Sequence, residues 1–235
     1  MQLKRIVQKA LTKPSTNPCT GRRILLAWMV FLLAGIDSFG QAGTRPWKGS
    51  PQVIPGRVQC ELYDEGGEGV AYHDKDSINH GSGNLNPANG KYLNEFRMKE
   101  GIDISYTKPG GIDDNPYNFV NPEMDQLYVG WTAPGEWIKY TITAQEAGLY
   151  HIGLMYTANT NGGISLSIDG TDIAGKIQVP TTHRDADTIS WRQWHHWNKI
   201  DHIAEVKLGK GKHVLTIYSL SGDMNYDYLE FTLIR

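Results

Sequence analysis

The chain has 235 residues, with 23 Lys and Arg against 25 Asp and Glu, a net charge of −2 and two cysteines. That length supports one well-buried domain with appendages, and the balance of charge excludes the clustered basic surface that nucleic acid or anionic lipid requires. Twenty-six glycines, 12 tyrosines and 7 tryptophans point to β structure with many turns.

Lys4, Arg5, Lys9, Lys13, Arg22 and Arg23 precede an apolar run over residues 24–36, followed by Ser38, Phe39, Gly40, Gln41 and Ala42. The run is shorter than the roughly 20 residues of a spanning helix, so it predicts a cleaved export signal over residues 1–40 rather than a membrane anchor. Small residues suit cleavage just before Gln41 or Gly43. Removal takes six basic residues and one acid with it, shifting the net charge from −2 to −7, and the mature protein is expected to be secreted, extracellular or periplasmic, without membrane contact. Only Cys60 then remains, too few for an intrachain disulfide; between Gln59 and Glu61 it reads as a small buried hydrophobe.

Residues 41–56 are rich in Gly, Pro and Ser without a period, which predicts a linker, and the domain proper is expected over residues 57–235. Val58, Cys60 and Leu62 alternate with polar neighbours as a first strand. A polar stretch over residues 72–95 is too long for a simple connection, as functional or ligand-held loops often are. A short strand is expected over residues 96–104, and a second long loop covers residues 107–126. The central segment, residues 128–142, places Trp131 just before an Ala133-Pro134-Gly135 turn, then alternates Ile138, Tyr140 and Ile142 against Trp137, Lys139 and Thr141. Further strands are predicted over residues 149–158, 164–168, 173–179, 205–208, 213–220 and 225–233. A polar loop over residues 183–190 leads into Trp191-Arg192-Gln193-Trp194-His195-His196-Trp197.

Strands at short spacing, with turn chemistry between them and no helical units, predict an all-β fold: an antiparallel two-sheet β-sandwich of the jelly-roll kind. Trp131, Trp191, Asn225 and Asp227 fall at rims and strand starts of such a fold. Two indoles with an amide and a carboxylate are a sugar-binding set, because C–H faces of a pyranose pack on aromatic rings while amide and carboxylate take hydroxyls. The competing reading buries both tryptophans in the core.

The segment Tyr128-Val129-Gly130-Trp131, continued by Gly135-Glu136-Trp137-Ile138-Lys139-Tyr140, resembles the central signature of family 6 carbohydrate-binding modules, V-G-Y/W, a turn, then G-D/E-W. Val58-Gln59-Cys60-Glu61-Leu62-Tyr63 is similar to the family's opening strand. Phe96-Arg97 with Glu100-Gly101-Ile102-Asp103-Ile104, Ala147-Gly148-Leu149-Tyr150, Trp191-Arg192-Gln193-Trp194 and Asn225-Tyr226-Asp227-Tyr228-Leu229-Glu230-Phe231 resemble later family segments, in family order. The resemblance implies a non-catalytic β-sandwich that binds polysaccharide or oligosaccharide in a cleft at its end. Trp131 and Trp191 take the stacking positions and Asn225 the cleft amide, while Trp194 and Trp137 go to the core. It also implies a structural calcium, carried onto Gln59, Glu61 and Glu230, whose hard oxygen atoms suit that ion. His73-Asp74-Lys75-Asp76 resembles a family turn that either lines the cleft or orders its loop. The long loops depart from the family pattern, so the preferred sugar does not carry over. Glycan-degrading enzymes on separate chains are the expected companions.

An enzyme on the same scaffold is the alternative, a small glycoside hydrolase or polysaccharide lyase using loop acids such as Asp113, Asp114, Asp185 and Asp187. Hydrolysis needs two carboxyl groups facing each other across a cleft, and nothing in the spacing places these opposite one another. No zinc, phosphate-loop or Ser-His-Asp motif is present. A structural or adhesion protein with its aromatics buried is the third possibility.

Overall fold

Alternating apolar residues settle most of the strands. The computed structural model describes residues 43–234; the expected export signal lies outside the described residues. The strands are β1 (Gln52–Ile54), β2 (Gly56–Gln59), β3 (Tyr72–His73), β4 (Ile104–Tyr106), β5 (Leu127–Val129), β6 (Trp137–Ala144) and β7 (Gly148–Ala158). They continue with β8 (Gly162–Ile168), β9 (Thr171–Asp172), β10 (Ile177–Val179), β11 (Asn198–Leu208), β12 (Gly211–Ser219) and β13 (Met224–Ile234). One sheet runs β1-β6-β12-β8-β10 with β3 beside β6 and β9 beside β8; the other runs β11-β7-β13-β5-β4 with β2 beside β13. Pairing is antiparallel except between β1 and β6.

The two sheets bury their alternate residues against each other. Ile138, Tyr140 and Ile142 of β6, Leu215 and Ile217 of β12 and Leu166 of β8 meet Tyr150, Ile152 and Leu154 of β7 and Leu229 and Phe231 of β13. Burial of this apolar surface, at about 25 cal/mol per Å², is the main force closing the sandwich. A second, smaller cluster of Tyr128, Met155, Trp197 and Tyr228 lies on the other face of the six-stranded sheet, because Tyr128, Met155 and Tyr228 alternate with core members of their own strands and Trp197, just before β11, packs edge-on to Tyr128 at 5.2 Å.

Two strands carry irregularities. In β13 the register against β7 slips between Tyr226 and Tyr228, leaving Asp227 as the extra residue of a bulge. In β11 it slips between Ile200 and Ala204, so residues 201–203 span the interval that Gly153 alone fills on β7.

Residues 43–56 differ from the linker predicted over residues 41–56. Gln52–Ile54 pairs in parallel with residues 142–144 of β6, Arg45 bridges to Glu65, and Trp47 packs edge-on to Phe96 at 5.5 Å. The Arg97 guanidinium lies 4.4 Å over the Trp47 ring. A three-residue strand between Pro51 and Pro55 is too short to show a period. Residues 96–103, expected as strand, follow a helical turn at Tyr92–Glu95 and carry Arg97 in the left-handed region at φ 48°; extended structure resumes at Ile104. The strand expected at residues 205–208 is the end of the much longer β11.

Candidate functional site

The site is assembled where β5 ends, β13 begins and the segment before β11 passes. Gly130 follows β5 and has no room for a side chain, since a Cβ there would lie 2.8 Å from Asn225 Oδ1. Trp131 comes next in the left-handed region at φ 49°, a conformation costly for a bulky residue, and its ring is 43% exposed. The turn after it is locked from behind: Glu136 Oε2 accepts from Ala133 N at 2.7 Å, and Asp223 N donates to Thr132 O at 3.1 Å. Gly222 lets the two turns close, because a Cβ there would meet Thr132 O at 2.7 Å. This contact brings Asp223 to the rim.

Residues 190–197 are not the strand the alternation suggested. Ser190–His195 is a 3₁₀ helix, and a three-residue turn repeat puts Trp191 and Trp194 on one side. Trp194 is therefore corrected from core to cleft. Trp191 is 52% exposed and stands edge-on to His195, ring centres 5.8 Å apart. So short a helix has little stability of its own, and buried polar contacts hold it. Asp187 takes Arg192 in a two-point pair at 2.7 and 2.8 Å and His196 at 2.8 Å; the Arg192 bond holds its carboxyl far below the usual carboxylate range. Arg192 also reaches Gly111 O at 3.1 Å. From the 107–126 loop, buried Asp113 accepts from His195 Nδ1 at 2.8 Å and Trp197 Nε1 at 2.7 Å, while Asn115 donates to His195 O and Asn118 accepts from Trp197 N.

Asn225 is the fixed point between these elements. Its Nδ2 donates to Thr157 Oγ1 at 2.8 Å and to Trp194 O at 2.7 Å, which leaves Oδ1 as the free acceptor. Trp131, Trp191 and Asn225 line one cleft of about 460 Å³ together with Trp194, His195, Tyr128, Thr132, Asp223 and Leu85. The long 77–95 loop supplies Leu85, exposed at its tip. With Nδ1 committed to Asp113, His195 offers Nε2 as its remaining polar atom. Asp223 is the one carboxylate of the lining, and neither Lys nor Arg is part of it.

Asp227 does not line the cleft. Strict alternation would give it the face of Asn225, but the bulge turns it away. It is 2% exposed, with Oδ1 lacking a hydrogen-bond partner, and Glu61 Oε2 is equally buried and unpartnered. Burial pushes Glu61 up to about 8, with the Asp227 charge adding to the rise, and burial pushes Asp227 up to about 7. Gln59, at the end of β2, has only a 3.5 Å contact from Gln126 on its side-chain oxygen. Glu230, expected beside Gln59 and Glu61, is instead taken by Lys199 at 2.5 Å and Arg57 at 3.9 Å. Unpartnered buried carboxylate oxygens are the donor set of a hard divalent cation. Gln59, Glu61 and Asp227 therefore fit calcium better than a set that includes Glu230.

The remaining candidates take structural places. Trp137, expected in the core, is instead half-buried on the face opposite Ile138 and Tyr140, beneath Lys139, whose Nζ is 4.7 Å from its ring. His73 pairs with Glu68 at 2.5 Å, and Asp76 accepts from Ile78 N and His80, so that turn orders its loop. Sequence reading missed Trp194, His195, Asp223 and Leu85; the three-residue spacing of Trp191, Trp194 and Trp197 was the available signal for the first.

Residues 104–233 match the family model described as carbohydrate binding module (family 6). No curated protein matches the chain. Among solved structures, CsCBM6-3 from Clostridium stercorarium in complex with cellobiose aligns at 13% identity and TM-score 0.46, covering 79% of this chain and 99% of that one. The module CBM6cm-2 from Cellvibrio mixtus lichenase 5A in complex with cellotriose aligns at 20% and 0.42, covering 57% and 88%. The C-terminal CBM6 of LamC from Zobellia galactanivorans aligns at 24% and 0.38, covering 46% and 81%.

Proposed function

The chain belongs to family 6 of the carbohydrate-binding modules, and from that premise we propose that it is a secreted, non-catalytic protein that holds polysaccharide or oligosaccharide by stacking sugar faces on Trp131 and Trp191. The observation that carries this reading is that both indoles are exposed and line the same cleft, beside the free Oδ1 of Asn225. Rings already on the surface lose little conformational freedom on binding. Asn225 Oδ1 and His195 Nε2 accept from hydroxyls, Asp223 takes a further hydroxyl, and Leu85 and Trp194 exclude water. With one carboxylate and no Lys or Arg in the lining, a neutral sugar fits and a uronate is repelled.

The lining supports a binder over a hydrolase. Asp223 stands without a second carboxylate across the cleft, where acid-base cleavage needs a pair. Among the acids considered for catalysis, Asp113 and Asp187 are buried and spent on hydrogen bonds, and Asp114 accepts from Gly110 and Gly111 N.

Calcium at Gln59, Glu61 and Asp227 completes the proposal. When bound, the ion supplies the positive charge that two buried carboxylates lack. The chain's own part is to present them from the turn after β2 and from the β13 bulge, joined by Cys60 N donating to Asp227 O at 2.9 Å.

A glycan array on the mature protein identifies the sugar, and titration of Trp191→Ala against the best ligand tests the cleft. Unchanged affinity in that variant overturns the stacking assignment. New reducing ends or unsaturated products after incubation with glycans overturn the non-catalytic reading. N-terminal sequencing of exported protein is expected to begin at Gln41 or Gly43.

A further inference from the structure

The outer face of the six-stranded sheet carries a cluster that neither the cleft nor the carboxylate pair uses. His151 on β7 stands directly across from Glu205 on β11, so both side chains point to that face. The β11 bulge then brings a third group there. It folds tightly over Gly153, where a Cβ would lie 2.9 Å from Ile200 O and 3.1 Å from Asp201 O, and it delivers His202 onto His151, ring centres 4.0 Å apart and planes 12° apart. His151 Nε2 is 3.6 Å from Glu205 Oε2, and the ligand atoms of all three residues lie within 4.8 Å of one another. Among the described residues no other group of three His, Cys, Asp or Glu comes that close. His73, His80, His183 and His213 each meet a single carboxylate instead.

We propose that His151, His202 and Glu205 form a surface site for a divalent transition metal of the zinc or copper class. Two imidazoles and one carboxylate are the donors those ions favour, whereas calcium takes oxygen alone. Bonds of about 2.0–2.1 Å around a tetrahedral ion need ligand atoms roughly 3.3 Å apart. Because the two rings lie in nearly parallel planes, binding turns one of them out of the stack so that both ring nitrogens aim at the ion, a movement open to His202, which like Glu205 is exposed. Stacked imidazoles repel each other when both carry a proton, and a bound ion takes the place of those protons on the nitrogens it meets. Solvent fills the remaining coordination positions. His151 is six residues from Thr157, which holds Asn225 from behind the cleft, about 20 Å along an extended strand, so the metal and the sugar bind independently.

The test uses the mature chain without an oligohistidine tag, stripped with chelator and then held in excess calcium so that the acidic pair is not the site measured. Calorimetric titration with zinc chloride is expected to show a single ion per chain. Substoichiometric copper is expected to broaden the NMR resonances of His151 and His202 before those of any other histidine. His151→Ala and His202→Ala should each weaken zinc by roughly tenfold or more, since even the loss of an outer partner costs that much; Glu205→Gln should weaken it less. All three variants should keep glycan affinity and the zinc-free unfolding temperature. No zinc uptake, uptake undiminished in both histidine variants, or broadening centred on another histidine overturns the proposal.

Discussion

The two sides of the bulge in β13 meet opposite demands with residues two positions apart. At Asn225 every donor is already placed: the amide is held by Thr157 and Trp194, and one acceptor faces a cleft of exposed indoles. At Asp227 nothing is complete: two carboxylate oxygens are buried without partners, and both groups are driven toward their neutral form. The surface proposed for neutral hydroxyls is complete in its own hydrogen bonds, whereas the carboxylate pair is left open for the proposed cation. Sugar affinity and fold stability should therefore respond to different substitutions.

The largest expected effect lies on the acidic side. Chelation should lower unfolding stability by about 2.7 kcal/mol relative to protein in calcium at a hundred times its dissociation constant, measured by chemical denaturation. Asp227→Asn sharpens the contrast. It removes a buried unpaired charge, so the chelated variant should be at least as stable as chelated wild type, and calcium should no longer stabilise it. A calcium response that survives in Asp227→Asn breaks the assignment.

On the cleft side, Trp191→Ala should cost about 2 kcal/mol of glycan affinity while the unfolding midpoint stays in place. Asn225→Ala should cost about 1–2 kcal/mol of affinity and also lower stability, because Thr157 Oγ1 loses its donor and the Trp194 carbonyl keeps only the one from Thr157 Oγ1 at 2.8 Å. Asp113→Asn is the smallest: His195 stays in reach but its orientation loosens, and affinity should fall by about 1 kcal/mol or less, read by titration calorimetry.

Where a segment has one buried face and enough residues, the fold was legible. The alternation at Ile138, Tyr140 and Ile142 and at Tyr150, Ile152 and Leu154 named the core of β6 and β7 correctly, because period-2 burial is written directly in residue types. Trp131, Trp191 and Asn225 were legible as rim residues, and all three line the cleft. What failed did so where a single residue changes the phase. Nothing in Asn225-Tyr226-Asp227 announces a bulge, so strict alternation places Asp227 with Asn225, while the extra residue takes it out of the cleft lining. Trp194 was misread because a strand period was imposed on a three-residue one. His195 and Asp223 were invisible for a different reason: their roles depend on Asp113 and Thr132, partners far away in sequence.

The parallel pairing of β1 has a practical consequence for anyone cutting this chain. Gln52–Ile54 covers the rim of the sheet at residues 142–144, and Gln145 N is satisfied by Ile54 O at 2.9 Å. A fragment begun at Arg57 would leave those amides and carbonyls open, a template on which a neighbouring molecule can add its own strand. Light scattering should find such a fragment assembling with time while one begun at Gly43 stays monodisperse, even though both retain every residue of the cleft.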